Sequence, residues 1–101
     1  IFKYIKGCII ETYKVSIIIP HYNGINILTE CIDSLQKSIT EDIEIIIVDN
    51  ASEDESVKFI KKSYPNINLL ECDQNYGYAE GCNKGAEIAK GKYLLFLNLS
   101  I

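Results

Sequence analysis

Four short apolar runs, Val15–Ile19, Glu44–Val48, Ile67–Glu71 and Tyr93–Leu97, constrain this chain more than any other feature. They are rich in β-branched and large apolar residues and show little alternation. Runs of that kind suit strands buried on both faces, as in a parallel sheet. The segments between them carry helical spacing. Ile25, Leu28, Ile32, Leu35 and Ile39 follow steps of three and four, which places one apolar stripe on a helix. Val57, Ile60 and Tyr64 repeat the pattern in the second connection. There Ser52 with Glu55 reads as a capping box that starts the helix just after Ser52, and Pro65 ends it. Ala79, Cys82, Ala86 and Ala89 make a third, narrower stripe of small residues, stopped by Gly91. The order strand, helix, strand, helix, strand, helix, strand predicts an α/β fold with right-handed crossovers.

The first fourteen residues fit no single element. An extra edge strand, a short helix and a leader from a preceding domain all suit Ile1–Lys14. The chain therefore divides into an N-terminal extension over 1–14 and one domain over 15–101. At 101 residues it holds one small domain at most. It opens without Met and stops just after an apolar run, which reads as a piece excised from a larger chain.

Charge narrows the function classes. Lys plus Arg number 10 against 14 for Asp plus Glu, a net charge of -4, whereas a nucleic-acid partner calls for a basic excess. Cys8, Cys31, Cys72 and Cys82 show no short CxxC spacing and lie in or beside apolar patterns, which fits reduced thiols in a reducing compartment. No apolar stretch approaches the roughly 20 residues of a membrane span, and the start lacks the continuous apolar core of a signal peptide. The expected location is the cytoplasm, including the inner face of the membrane.

Ligands on open parallel sheets bind outside the carboxyl ends of the strands. Polar residues concentrate at those four places: Pro20-His21-Tyr22-Asn23, Asp49-Asn50-Ala51-Ser52, Cys72 through Gly77, and Asn98-Leu99-Ser100. Asp49 is the sharpest signal, since a strand-end carboxylate accepts an imide N–H or a ribose hydroxyl. It equally well satisfies loop amides ahead of the next helix. Tyr22 offers a flat face to a base or packs on a neighbouring loop. His21, without a placed partner, reads as an exposed or hydrogen-bonded loop residue. Gly81 and Gly85 let a helix pack close to the sheet, whereas Gly77 sits at the turn and permits close backbone approach to a phosphate. The loop after the first run is not glycine-rich, which disfavours a dinucleotide-binding dehydrogenase.

Together VSIIIPHYN (Val15–Asn23), EIIIVDNASED (Glu44–Asp54), NYGYAEGCNKG (Asn75–Gly85) and GKYLLFLNLS (Gly91–Ser100) resemble the inverting glycosyltransferase family 2, most of all its rhamnosyltransferase-like branch. The resemblance implies a GT-A (Rossmann-like) parallel sheet with helices on both faces, truncated here after the fourth strand. It implies binding of a UDP- or dTDP-sugar and inverting transfer to a glycan or lipid-linked acceptor. Pro20, Tyr22 and Asn23 match the loop bordering base and ribose. Asp49 matches the residue contacting the pyrimidine, and Asn75 and Gly77 match the loop beside ribose and diphosphate. Asn98 and Ser100 stand where the family holds Mg²⁺ or Mn²⁺ against the diphosphate. Ser100 replaces a carboxylate there with a neutral hydroxyl, which argues against tight metal binding and leaves a non-catalytic nucleotide-binding or interaction module as the alternative. The family's catalytic base lies beyond the matched segments. The chain alone is therefore expected to transfer no sugar. A strand edge bared by truncation is expected to drive homodimerisation.

Overall fold

The computed structural model describes residues 2–5, 8–11, 13–38 and 42–99. Ser100, Ile39 and parts of the 1–14 extension lie outside the described residues. Strands β1 (Phe2–Ile5) and β2 (Cys8–Glu11) pair antiparallel as a separate ribbon. Strands β3 (Tyr13–His21), β4 (Ile43–Asp49), β5 (Asn68–Glu71) and β6 (Gly91–Phe96) form a parallel sheet in the order β5-β4-β3-β6. Helices α1 (Ile25–Ser38), α2 (Ser56–Ser63) and α3 (Gly77–Ile88) connect them. The expected α/β alternation is present element for element. β3 begins at Tyr13, ahead of the apolar run that announced it.

Alternating side chains point to opposite faces of a strand. Both faces of β3 and β4 are covered, which is why their sequences do not alternate. Ile17, Ile19, Ile45 and Ile47 pack with Leu28 and Ile32 of α1 and Ile60 of α2. Ile18, Ile46 and Val48 pack on the other face with Ala86 of α3 and with Ala89 beyond its end. The narrow stripe of α3 has a steric reason. A Cβ at Gly85 would overlap the Ile18 side chain and come within 3.0 Å of Val48, so the helix backbone lies directly on the sheet.

β6 differs. Its run matches the others in composition, yet Tyr93, Leu94, Leu95 and Phe96 are 55%, 42%, 46% and 41% exposed. It lies at the edge of the sheet, paired only with β3 among the described strands.

The capping box is a correction. α2 starts at Ser56, not just after Ser52, and Glu55 makes no side-chain cap. The Asp54 carboxylate accepts from the Ser56 N–H at 2.9 Å instead. Ser52 Oγ is taken by other partners, donating to Asp49 three residues earlier at 2.6 Å and accepting from the distant Asn23 N–H at 2.9 Å. A local cap competes with such partners for one hydroxyl, and here the partners win.

Glu44 sits inside an apolar run and is 6% exposed. Its carboxylate accepts from Ser16 Oγ at 2.6 Å, from the Lys90 N–H at 2.9 Å and from Asn68 Nδ2 at 2.9 Å. Ser16 Oγ in turn accepts from the Gly91 N–H at 2.8 Å. This knot joins β3, β4, β5 and the start of β6 toward the amino ends of the strands. Its donors satisfy a carboxylate whose burial would otherwise be costly.

Candidate functional site

α1 and α2 pack on one face of the sheet and α3 on the other. The chain therefore switches sides between β5 and β6, and β6 returns to pair with β3. Such a switch leaves a crevice at the carboxyl ends of the strands. A cleft of about 280 Å³ lies there. Pro20, His21 and Tyr22 reach it from the end of β3, Asn50 from β4, and Asn75, Gly77 and Tyr78 from the start of α3. A neighbouring pocket of about 150 Å³ shares Pro20, His21 and Tyr22 and adds Asn23, Gly24, Ile27 and Leu99.

Asn50 holds the cleft together. It is 3% exposed. Its Nδ2 donates to the Gly77 carbonyl at 3.2 Å, its Oδ1 accepts from the Tyr76 N–H at 3.3 Å, and its own N–H donates to the His21 carbonyl at 2.8 Å. One residue thus links the exits of β3 and β4 to the start of α3, through its backbone on one side and its side chain on the other. Gly81 allows this approach, since a Cβ there would lie 3.1 Å from Pro20 and 3.3 Å from Asn50 Nδ2. Gly77 serves differently. Its φ of +83° lies in the left-handed region, and its N–H donates to Asn75 Oδ1 at 2.9 Å.

Asn23 also has left-handed backbone, at φ 51°. Its Oδ1 accepts from the N–H groups of Glu53 at 2.8 Å and Asp54 at 3.2 Å, and the Gly24 N–H donates to Asp54 Oδ2 at 2.8 Å. The loop after β3 is thereby pinned to the loop after β4. Tyr22, 45% exposed, stands between the two hollows.

Beneath the loops runs a relay. Ser56 Oγ has one proton and donates it to Asp54 Oδ1. The 2.9 Å contact to His21 Nε2 must then have the imidazole N–H as donor, which assigns the Nε2–H tautomer. Burial pulls the His21 pKa below 6.5, against the opposing pull of Asp49 and Asp54. The ring is neutral at pH 7. Burial raises the Asp54 pKa, but the hydrogen bonds from Ser56 and Gly24 outweigh it and hold the carboxyl below 3.8.

Of the residues singled out in the sequence, Pro20, Tyr22, Asn75 and Gly77 share the larger cleft, and Asn23 joins Pro20 and Tyr22 in the smaller one. Asp49 borders neither. It is 2% exposed, and its carboxylate accepts from the Ser52 N–H at 3.0 Å and from Ser52 Oγ. Asn98 is exposed and also borders neither, although the adjacent Leu99 lines the smaller pocket. His21 is buried rather than exposed, and of the two expected roles it takes the hydrogen-bonded one, through Ser56. Sequence reasoning misses Asn50 and Tyr78. Asn50 is signalled only by following Asp49 at a strand end, and Tyr78 only by its place just after the Gly77 turn.

The divalent cation implied by the resemblance does not fit the described donors. Asn98 is a neutral amide, Ser100 lies outside the described residues, and among the described residues no group of His, Cys, Asp or Glu is placed to hold a metal ion. Among the described residues lining the two hollows there is no Lys, Arg, Asp or Glu. The arrangement suits a flat, polar, largely uncharged group against Tyr22, with amides from Asn50 and Asn75 nearby. No helix among the described residues is long and apolar enough to cross a membrane.

Known proteins resemble this chain in sequence and in fold. The chain is 42% identical over 92 residues to the poly(ribitol-phosphate) beta-glucosyltransferase of Bacillus spizizenii, which covers 84% of this chain and 14% of that protein. The solved structure of S. aureus TarS 1–349 superposes with a TM-score of 0.77 at 27% identity, covering 85% of this chain and 27% of that one. The same protein has been solved in complex with UDP, at a TM-score of 0.76 and 28% identity over 84% of this chain and 27% of that one. A mannosyltransferase from Pyrobaculum calidifontis, in complex with GDP-Man and Mn²⁺, shares the fold at a TM-score of 0.74 and 23% identity, over 88% of this chain and 28% of that one. The chain thus spans about a quarter or less of the length of these relatives. Their shared architecture is the GT-A fold, of which the sheet here is a part. The model of the family described as "Glycosyl transferase family 2" matches residues 16–99, and the chain belongs to that family.

Proposed function

We propose that this chain is the donor-binding half of an inverting glycosyltransferase that takes a UDP- or dTDP-sugar. The observation that carries this reading is the convergence of three separate sequence blocks on one cleft: Tyr22 from β3, Asn50 from β4, and Asn75 with Gly77 from the start of α3. Pro20, Tyr22 and Asn23 border the base and ribose. Asn75 and Gly77 face the ribose and diphosphate, where a turn without a side chain and a helix N-terminus suit negative charge. Asp49 belongs to the pyrimidine side. Each carboxylate oxygen has two lone pairs, so once the Ser52 loop that covers it shifts, it can accept an imide N–H while keeping Ser52. Asn98 lies toward the diphosphate. TarS complexed with UDP supports the choice of nucleotide, and the poly(ribitol-phosphate) glucosyltransferase supports a glycan or cell-wall polymer acceptor.

In this reading the acceptor hydroxyl attacks the anomeric carbon from the face opposite the leaving nucleoside diphosphate, which inverts the configuration. A carboxylate base takes the hydroxyl proton, and that base comes from protein beyond residue 101. The 101 residues alone transfer no sugar. The branch is the rhamnosyltransferase-like one, on the strength of Asn75, Gly77, Gly81, Asn83 and Gly85. The site works in the cytoplasm. Exposed β6 is the surface through which the chain alone forms a dimer.

Calorimetry with UDP and dTDP, with and without Mn²⁺, tests the reading. Saturable heat with either nucleotide is expected, and none with any nucleotide overturns it. The second reading, a non-catalytic nucleotide-binding module, is favoured by the neutral residues Asn98 and Ser100 at the metal positions. A longer form of the protein that binds UDP yet turns over no UDP-sugar decides for it.

A further inference from the structure

Tyr78 has no assigned part in the donor-binding reading, yet it is the second aromatic residue of the same cleft. Tyr22 enters from the end of β3 and Tyr78 from the first turn of α3. They are 45% and 40% exposed, so both rings retain open surface. The two elements that carry them are fixed to each other through Asn50, which donates to the Gly77 carbonyl beside Tyr78 and to the His21 carbonyl beside Tyr22. The ring is thereby held on a built frame, with part of its surface open to the cleft.

We infer that Tyr78 is a ligand-contacting residue: with Tyr22 it supplies a pair of aromatic surfaces that take the base of the donor nucleotide. This rests on the donor-binding reading. Aromatic stacking uses the face of a base and not its edges, so it adds affinity without choosing among bases. Choice between bases is left to groups that reach the ring edge. Tyr78 therefore strengthens binding of every nucleoside diphosphate to a similar degree.

Calorimetry on the full chain tests this with UDP, GDP and inorganic pyrophosphate as probes. Tyr78→Ala is expected to weaken UDP and GDP about tenfold each and to leave pyrophosphate unchanged. Tyr78→Phe, which keeps the ring and loses the hydroxyl, is expected to stay within about twofold of the parent chain. Both substitutions fall on a half-exposed position in a helix, and circular dichroism checks that the fold survives. Parent-like UDP binding by Tyr78→Ala overturns the inference while leaving the donor-binding reading intact. An equal loss in Tyr78→Ala and Tyr78→Phe assigns the effect to the hydroxyl and overturns it as well. A parent chain that binds no nucleotide overturns both together.

Discussion

The two ends of the parallel sheet are built from similar polar residues and do opposite things. Toward the amino ends, Glu44 and Ser16 are closed off, their hydrogen bonds made to Asn68, Lys90 and Gly91 of the same chain. At the carboxyl ends, Asn50, Asn75 and Asn23 also bond their own backbone, yet they do so around two open hollows. Polarity inside an apolar run therefore does not mark a site. A polar cluster becomes a site where the loops that satisfy it stand apart and leave aromatic faces uncovered.

The sharpest way to break this contrast is at Glu44. Glu44→Ala strips an acceptor from three donors, each worth about 1–3 kcal/mol when left unmade. Urea unfolding is expected to show a loss of about 3 kcal/mol or more. Nucleotide affinity of the protein that remains folded should be unchanged. Glu44→Gln keeps one acceptor oxygen but turns an N–H₂ toward donors, and it should recover only part of the loss. A Glu44→Ala chain of full stability that binds nucleotide poorly would reverse the assignment of the two ends.

Asn50 sharpens the contrast from the other side. Asn50→Ala removes the link between β4 and α3 in a part-buried place that water can enter. We expect a smaller stability loss, about 1 kcal/mol, accompanied by weaker UDP binding. Stability loss without any change in affinity would make Asn50 a purely architectural residue like Glu44.

The smallest effect is a pH dependence confined to the carboxyl end. His21 titrates below 6.5 in the folded chain, so the unfolded chain binds more protons between that folded value and 6.5. Its contribution is complete above pH 6.5 and is lost as pH falls through the folded value. Asp54 acts around and below its unfolded value of 3.8, which leaves most of the range above about pH 4.5 to His21. Unfolding midpoints measured between about pH 6.5 and 4.5 should fall more steeply for the parent than for His21→Asn. Parallel slopes would remove His21 from the relay with Ser56 and Asp54.

Much of this architecture is legible in the residue pattern. The β3 and β4 runs lack alternation because α1, α2 and α3 cover both faces, and the narrow stripe of α3 reports its close approach at Gly85. Tyr22, Asn75 and Gly77 stand out because each lies in the polar segment just past a strand's carboxyl end, where open parallel sheets bind their ligands. Other features leave no such trace. The β6 run looks like a buried strand, and only its edge position exposes it. Ser52 and Glu55 spell a cap, but Asp49 and Asn23 claim the hydroxyl. Asn23 reads as a ligand residue, and its amide oxygen is occupied by the loop after β4.

Local chemistry settled the elements, because hydrophobic period, helix stops and turn residues act over a few positions along the chain. Strand order, the switch between β5 and β6, and the partners of Glu44 and Asn50 depend on residues some 20 to 80 positions apart. Such pairings are chosen by how the faces of the whole sheet are covered, and a one-dimensional pattern carries no record of that choice. The cleft belongs to this second kind of fact: its residues come from three elements, and it exists only once they are packed.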